Sequence, residues 1–545
     1  MTGATVEGQD AHMTAAEEPT SLVTRARRAG LADLLHRSAR RYPDRTAILD
    51  GGRRLTFAEF DIAVDRTAAA LASRGLVSGD RLALLSRNCW QFAVLAFATA
   101  RIGVVLVPVN FMLRDSEIAY ILGHSGARAL VAGADLADTA ASALRIAGTP
   151  AGVRGWIRAA EQGGAAPEGW EDVDRWAFDG SDDPPDVDVA DDQPLRLMYT
   201  SGTESRPKGV MLSSRALISQ YVSCIVDGGM SADDVELHSL PMYHCAQLDC
   251  FFSVDVYLGA TSILLPAPDP ARLLATIARE GVTKLFCPPT VWISLLRHPD
   301  FDSTDLSTLR KGYYGASAMP VEVLRELRRR LPDVELWNFY GQTEMSPLAT
   351  ILRPHEQLDR AGSAGQAALN VETRVVDEFD EPVPAGEIGE IVHRSPHATL
   401  GYYEDPDKTA ETFRNGWFHS GDLGVMTPDG YLSVVDRKKD MIKTGGENVA
   451  SREVEEALYE LDGVAEVAVF GVSHPRWIEA VTAVVVPKAD AALTEQAVRE
   501  HAQQRLAGYK QPKYVVLADA LPKNPSGKIL KRELRQQHAD IAGVD

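Results

Sequence analysis

A chain of 545 residues is too long for one ordinary hydrophobic core, so two or more domains are expected. Its 45% hydrophobic and 24% charged residues make a globular mixture rather than a disordered one. With 76 acidic against 56 basic residues the net charge is −20, which repels nucleic-acid backbones and anionic membrane surfaces and leaves any anionic small-molecule substrate in need of a locally basic site.

The first twenty residues lack a basic start and an apolar stretch, so no secretory signal is visible, and residues 1–25 read as a disordered tail. Five cysteines (Cys89, Cys224, Cys245, Cys250 and Cys287) form no CxxC pair, which suits a reducing, cytoplasmic setting. From Leu31 to about Gly430 amphipathic helices alternate with short β-branched strands, for example a helix over Phe57–Ser73 and strands over Arg81–Leu85 and Val104–Val109. Such alternation predicts parallel sheets covered by helices, in a large α/β domain over residues 26–435. The apolar stretch from Trp90 to Phe111 is broken by Gln91, Arg101, Gly103 and Pro108, which predicts a buried helix then a buried strand, with no membrane span. Residues 161–193, rich in Gly, Pro and Asp, read as an exposed acidic connector. A smaller α+β domain is expected over 436–545: helix Arg452–Leu461 with Ser451 as N-cap, strands Ala465–Val472 and Ala480–Pro487, helix Glu495–Leu506, strand Tyr514–Leu517, then an irregular loop, LPKNPSGKILKREL.

Five stretches carry chemistry. Strand Arg196–Tyr199 runs into a hydroxyl-rich turn with Thr200, Ser201, Gly202, Thr203 and then Lys208; its backbone N–H groups and hydroxyls suit phosphate oxygens. It lacks the Gly-Lys-Ser/Thr ending of a P-loop, and a plain surface turn would use the same residues. In WNFYGQTE, Thr343 offers a hydroxyl to phosphate and Glu344 a hard oxygen ligand to Mg²⁺. In GWFHSGDLG, Asp422 sits in a glycine-flanked turn with two oxygens for the hydroxyls of a ribose. DRKKDMIKTGGEN clusters Arg437, Lys438, Lys439 and Lys443, which a solvated basic face would also explain. NPSGK sets Lys528 on a tight loop.

Together and in this order, with LPMYHCAQ and GYYGAS, these stretches resemble the adenylate-forming superfamily of acyl-CoA synthetases, aryl-CoA ligases, adenylation domains and luciferases, nearest the fatty-acyl-CoA synthetases. The resemblance runs from about Leu31 to Leu534. It implies an ATP-dependent acid–CoA ligase working in two half-reactions: acyl-adenylate formation with release of pyrophosphate, then thioester formation with coenzyme A. It also implies a small mobile C-terminal domain turning about a hinge at Asp436. Carried over by motif, Thr200, Ser201, Gly202, Thr203 and Lys208 form the phosphate loop; Gly315, Ala316 and Ser317 line the adenine and acyl region; Tyr340, Gly341 and Thr343 join the nucleotide site; Glu344 holds Mg²⁺. Asp422 and Arg437 take the ribose, and Lys528 reaches the adenylation centre. Gly445 and Gly446, with Lys443, meet the nucleotide or the pantetheine arm after rotation.

The family usually has Thr-Gly where this chain has Glu204-Ser205. At ~6 Å from a phosphate charge, Glu204 would be repelled by about 0.7 kcal/mol in water-like surroundings and about 3 kcal/mol at an effective dielectric of 20. We therefore expect it to face solvent, paired with Arg206 or Lys208. His244 matches the family's pocket gate, where a neutral imidazole orients the acid; a satisfied core histidine is the plainer alternative. Cys245, Ala246, Gln247, Tyr313, Tyr314 and Phe339 are candidate pocket walls. Phe339 stands where many relatives have glycine, which favours a short, medium or aromatic acid. Other acceptors (an amine or a carrier protein) stay open, as does an unusual acid such as nitrite, used to diazotise an aromatic amine. So does a homodimer. No zinc-ligand spacing occurs among the cysteines and 13 histidines, so no structural metal is expected.

Overall fold

The computed structural model describes residues 23, 26–148, 151–158, 164–181, 183–200, 206–315, 317, 319–438, 440–445, 447–489, 491–524 and 527–541. Two large, mostly parallel sheets dominate. The seven-stranded one runs Glu171–Asp172, Val153–Ile157, Ala129–Gly133, Arg81–Leu85, Val105–Pro108, Pro194–Thr200 and Lys208–Ser213. Its strands are buried on both faces. Leu82 and Leu84 join the main core, while Ala83 and Leu85, pointing the other way, pack under the helices Asp115–Ser125 and Ala137–Ala147. The nine-stranded sheet runs Gln366–Ala367, Thr350–Leu352, Glu335–Tyr340, Lys311–Gly315, Lys284–Phe286, Val235–His238, Thr261–Leu264, Thr46–Asp50 and Arg53–Thr56. The main core is continuous between the two sheets and contains the helix Trp90–Arg101, buried from Trp90 to Ala100. The helix Phe57–Ser73 starts at a reciprocal cap, with Thr56 Oγ1 accepting from Glu59 N and Glu59 returning a carboxylate to Thr56 N. No described helix is long and apolar enough to cross a membrane.

The expected alternation to Gly430 fails over the last stretch. Glu372–Val376, Gly389–Arg394, Phe413–Arg414, Trp417–Met426 and Leu432–Arg437 form an antiparallel five-stranded sheet with one short helix, Pro406–Thr412, inserted. Short turns join Phe413–Arg414 to Trp417–Met426 and Trp417–Met426 to Leu432–Arg437, which antiparallel neighbours allow and parallel ones do not. The acidic connector is also less open than expected. Glu171–Asp172 adds to the seven-stranded sheet, and the helix Val173–Phe178 buries Trp176. Arg74 and Arg158 ion-pair with Glu171 and Asp172, which turns part of the acidity inward. Residues 161–163 and 182 lie outside the described residues, as does residues 1–22 of the expected tail.

In the C-terminal part, the hairpin Val464–His474 and Ile478–Pro487 is flanked by Ile442–Thr444, Glu447–Val449 and a parallel strand, Tyr514–Leu517. Alternate hairpin residues feed two small cores. Val467, Val469 and Val481 meet Val454 and Leu458 of the helix Ser451–Tyr459, while Phe470 and Val484 meet Leu534 of Lys531–Gln537 on the other face. Ser451 is not the N-cap of its helix; Ala450 holds that position. The capping acceptor is Asp436 instead. Its Oδ2 accepts from Ser451 N at 2.6 Å and its Oδ1 from Arg437 N at 2.7 Å, while Lys531 Nζ donates to Ser451 Oγ. A carboxylate at a helix N-terminus satisfies an orphan donor and complements the helix dipole, about 1 kcal/mol in the usual case.

Candidate active site

A cavity of about 750 Å³ opens where the two large sheets, the antiparallel sheet and the C-terminal part meet. Thr200 and Lys208 reach it from adjacent antiparallel strands, across which they are paired. Ser201, Gly202, Thr203, Glu204 and Ser205 lie outside the described residues, and so do Ala316, Lys439 and Gly446.

The strand Glu335–Tyr340 delivers Phe339 and Tyr340 to the cavity and then turns sharply through Gly341. The chain folds back so closely there that a Cβ on Gly341 would lie 1.9 Å from the Pro347 carbonyl oxygen. On Gly315, one strand over and paired with Phe339, a Cβ would lie 2.4 Å from the Phe339 carbonyl oxygen. Both are places where only glycine lets backbone line the site. The turn leads into a single 3₁₀ turn, Thr343–Met345, which presents Thr343 and Glu344. Tyr402 OH donates to Glu344 Oε1 at 2.8 Å, and the Lys208 ammonium stands 5.8 Å from the Tyr402 ring centroid. The donor set at Glu344 is all oxygen, a carboxylate beside the hydroxyl of Thr343, and this matches Mg²⁺ rather than a thiolate- or imidazole-seeking metal.

Asp422 lies just behind the wall that Ser420, Gly421 and Arg437 form. Its Oδ2 is already engaged, accepting from Tyr340 OH at 2.8 Å and Gln342 Nε2 at 3.1 Å. Its Oδ1 is buried and accepts no hydrogen bond, with Arg437 Nε 3.2 Å away. Of the two oxygens expected to meet a ribose, Oδ2 is engaged within the protein and Oδ1 accepts no hydrogen bond. Burial and the Asp422 charge push the Tyr340 phenol well above its ordinary range, so it stays a proton donor.

His244 borders the cavity at the start of a π-helical turn, Ala246–Phe252, a distortion that recurs at functional sites. Burial, then the nearby Lys528 charge, lowers its pKa to about 4, so the ring is neutral at pH 7. Ala246 N donates to Nδ1 at 3.2 Å, which assigns the proton to Nε2. Cys245 also lines the cavity, with Sγ 3.3 Å from Thr343 Oγ1, and burial raises its thiol far above the usual range.

The apolar end is aromatic. Phe251 stacks on Phe286 with centroids 4.3 Å apart and on Phe339 at 5.7 Å. The Phe339 ring fills the space beside Gly228, where a Cβ would come within 2.8 Å of Cζ. Neither Gln247 nor Tyr314 lines the cavity, contrary to expectation, and Tyr313 does not either. Gln247 turns inward to His238 at 2.7 Å, Tyr314 OH donates to Gln357 at 2.6 Å, and Tyr313 OH donates to the Gly228 carbonyl at 2.6 Å. Buried polar groups must be satisfied, and each found its partner inside the core. Ser317 is exposed and away from the cavity. Tyr402, Gln342, Cys250, Phe251 and Phe286 were missed. Gln342 sits inside a singled-out motif; the others stand in stretches with no motif of their own.

From the C-terminal part, Asn524 and Lys528 line the same cavity as Glu344 and His244. The loop is closed by Asn524 N donating to Lys528 O at 2.9 Å and Lys528 N donating to Asn524 Oδ1 at 2.8 Å. It docks on the start of the helix Pro289–Arg297, where Thr290 Oγ1 donates to the Gly527 carbonyl at 3.2 Å. Lys443 and Gly445 are exposed and outside the cavity.

Residues 35–403 match the family model described as AMP-binding enzyme, and residues 453–528 the AMP-binding enzyme C-terminal domain. A feruloyl-CoA synthase of an Amycolatopsis species is 38% identical over 515 residues, covering 94% of this chain and 99% of that protein. The crystal structure of ATP-bound MatB from Rhodopseudomonas palustris superposes with a TM-score of 0.84 at 31% identity, over 94% of this chain and 99% of that one; apo MatB gives 0.75. The anthranilate CoA ligase AuaEII in complex with anthranoyl-AMP gives 0.87 at 25% identity, over 95% and 98%. With a matching family model over most of its length and a cavity that gathers Thr200, Lys208, Thr343, Glu344 and Lys528, the chain belongs to the AMP-binding enzymes of the adenylate-forming acyl-CoA synthetase superfamily and is an AMP-forming ligase.

Proposed function

We propose that this enzyme joins a short, medium or single-ring aromatic carboxylic acid to coenzyme A, with ATP split to AMP and pyrophosphate, in the cytoplasm. The observation that carries it is the meeting of Lys528 with Glu344, Lys208 and His244 around one cavity whose far end is walled by Phe251, Phe286 and Phe339. The feruloyl and anthranilate substrates in the names of two relatives are aromatic acids, in keeping with such walls.

In the first half-reaction a carboxylate oxygen of the acid attacks the α-phosphorus of ATP. The new O–P bond forms as the bond to the β-phosphate oxygen breaks, and pyrophosphate leaves with the electron pair. His244, neutral with its proton on Nε2, donates to the other carboxylate oxygen and aims the attack. The Lys528 ammonium stabilises charge that builds on the α-phosphoryl oxygens, and Lys208 and Thr200 take the outer phosphates. Asp422 Oδ1 accepts from a ribose hydroxyl, with Arg437 beside it. Glu344, oriented by Tyr402, would hold Mg²⁺, which would supply neutralisation of phosphate charge when bound. In the second half-reaction the CoA sulfur, having lost its proton, attacks the acyl carbon, and AMP departs as the C–O bond to phosphate breaks. We assign that step to the rotated small domain, with Lys443 and Gly445 brought to the site and Lys528 withdrawn.

The test is a panel of acids assayed for pyrophosphate, AMP and acyl-CoA together. One-ring aromatic and medium-chain acids should give all three in equal amounts. Pyrophosphate release without thioester for every acid would hand the second step to another acceptor.

Removing the Phe339 ring should lengthen the acid pocket. Phe339→Ala is expected to shift kcat/KM by tenfold or more towards longer or bulkier acids, the usual scale for a change in an apolar pocket. The same ring belongs to the core, so a stability loss of about 3–5 kcal/mol accompanies it. Competition between acids of increasing length checks this; an unchanged order removes Phe339 from the pocket wall.

A further inference from the structure

Outside the cavity, four ionisable side chains are buried together with no exposure at all: Glu236 and His238 on the strand Val235–His238, Asp255 on the helix Ser253–Leu258, and Lys284 at the start of Lys284–Phe286. Ligand atoms of Glu236, His238 and Asp255 lie close enough to hold a metal ion. The place is taken, however. The Lys284 ammonium ion-pairs with Asp255 Oδ1 and stands 2.8 Å from Glu236 Oε2, so the cluster carries its own cation. Burial drives Glu236 well above the usual carboxylate range and His238 below the usual imidazole range. A well-packed apolar set generally folds as well as such a cluster. Holding the sheet together does not by itself call for such a cluster.

The network leads to the loop that carries His244. His238 Nε2 stands 3.2 Å from Asp255 Oδ2, and Nδ1 accepts from Gln247 Nε2 at 2.7 Å. Gln247 Oε1 in turn accepts from Leu240 N at 3.3 Å. From the other side, Asn88 Nδ2 donates to Leu240 O at 2.8 Å and Asn88 Oδ1 accepts from Met242 N at 2.8 Å. Asn88 and Gln247 are themselves buried, 4% and 1% exposed. The loop 240–247 is thus fastened at Leu240 and Met242, and its ends are tied to each other through one side chain. The residues between the fastenings and Gln247 are Tyr243, His244, Cys245 and Ala246, all lining the cavity.

We propose that Gln247 and Asn88 are positioning residues of the acid site: they set the place and angle at which His244 faces the substrate carboxylate, with Gln247 anchored to His238 beside the buried Asp255–Lys284 pair. The proposal rests on the reading that the acid meets His244. Neither residue touches substrate; each acts through the loop.

The test measures acid KM, ATP KM and melting temperature for Gln247→Met, Asn88→Ala, His244→Ala and the double variant Gln247→Met/His244→Ala, with pyrophosphate release as the assay. Gln247→Met keeps the volume and removes both hydrogen bonds. Asn88→Ala loosens the same loop without touching the buried charges, and carries the test should Gln247→Met fail to fold. Both single variants should raise acid KM by tenfold or more with ATP KM within threefold. In the His244→Ala background Gln247→Met should add less than twofold, because the group it positions is gone. A merely structural role would lower the melting temperature and leave both KM values alone; that result for Gln247→Met and Asn88→Ala, beside a raised acid KM for His244→Ala, overturns the proposal by itself. An unchanged acid KM for His244→Ala overturns the placement of the acid, and the proposal with it.

Discussion

Alanine at Lys528 is expected to cut ATP- and acid-dependent pyrophosphate release by about 10²–10³, the usual loss when one preorganised charge contact to a developing oxyanion is removed. The same variant should turn a chemically supplied acyl-adenylate into thioester at close to the wild-type rate. The reason is geometric. Lys528 shares the cavity with His244 and Glu344, next to Gly527, whose carbonyl accepts from Thr290. On the proposed scheme, thioester formation needs an open path for a thiol and would use the domain turned away. Quenched-flow assay of the two half-reactions separates them. Equal loss of both in a folded Lys528→Ala protein would end the alternation scheme for this enzyme.

Proline at Asp436 should give the opposite pattern: adenylation within a few-fold of wild type, and transfer from supplied adenylate lowered by at least 10². Asp436 closes the last strand of the antiparallel sheet, paired with Leu423, and its carboxylate caps the helix Ser451–Tyr459. Proline fixes φ and resists a swing at that residue. It also removes the cap, worth about 1 kcal/mol, so Asp436→Asn is the control: it keeps the backbone free, and both half-reactions should stay within tenfold. A proline variant that transfers normally would move the pivot elsewhere.

How much of this was legible in the sequence follows from how local each signal is. The helix Phe57–Ser73 and the strands Arg81–Leu85 and Tyr514–Leu517 came out with the bounds expected, because capping and apolar spacing are written in adjacent residues. The motifs placed Thr200, Lys208, Gly315, Tyr340, Gly341, Thr343, Glu344, Arg437 and Lys528 on one cavity across more than 300 residues of chain. What failed was direction and partner. Nothing in the letters of Gln247 or Tyr314 says which way a side chain turns; His238 and Gln357, distant or facing elsewhere in sequence, decided that. The antiparallel sheet over 372–437 was missed because strands with mixed burial leave a weak alternation, and the acidic connector, expected to be exposed, is ordered in part because Glu171 and Asp172 meet Arg74 and Arg158.

A swing at Asp436 would have to separate the two parts of the molecule. Among the described residues, the bonds between them include Arg452 donating to the Gly362 carbonyl, Arg297 to the Ala465 carbonyl and Thr290 to the Gly527 carbonyl. At a net value near 1 kcal/mol each, these three alone would favour this arrangement by about a hundredfold. On the proposed two-step scheme coenzyme A would bind a minority conformer, and its apparent dissociation constant would exceed its intrinsic one by that same factor. ATP and the acid would meet no such tax. On that scheme the order of substrate entry would be set by the contacts between the two parts of the molecule rather than by the shape of the cavity, with the thiol admitted last.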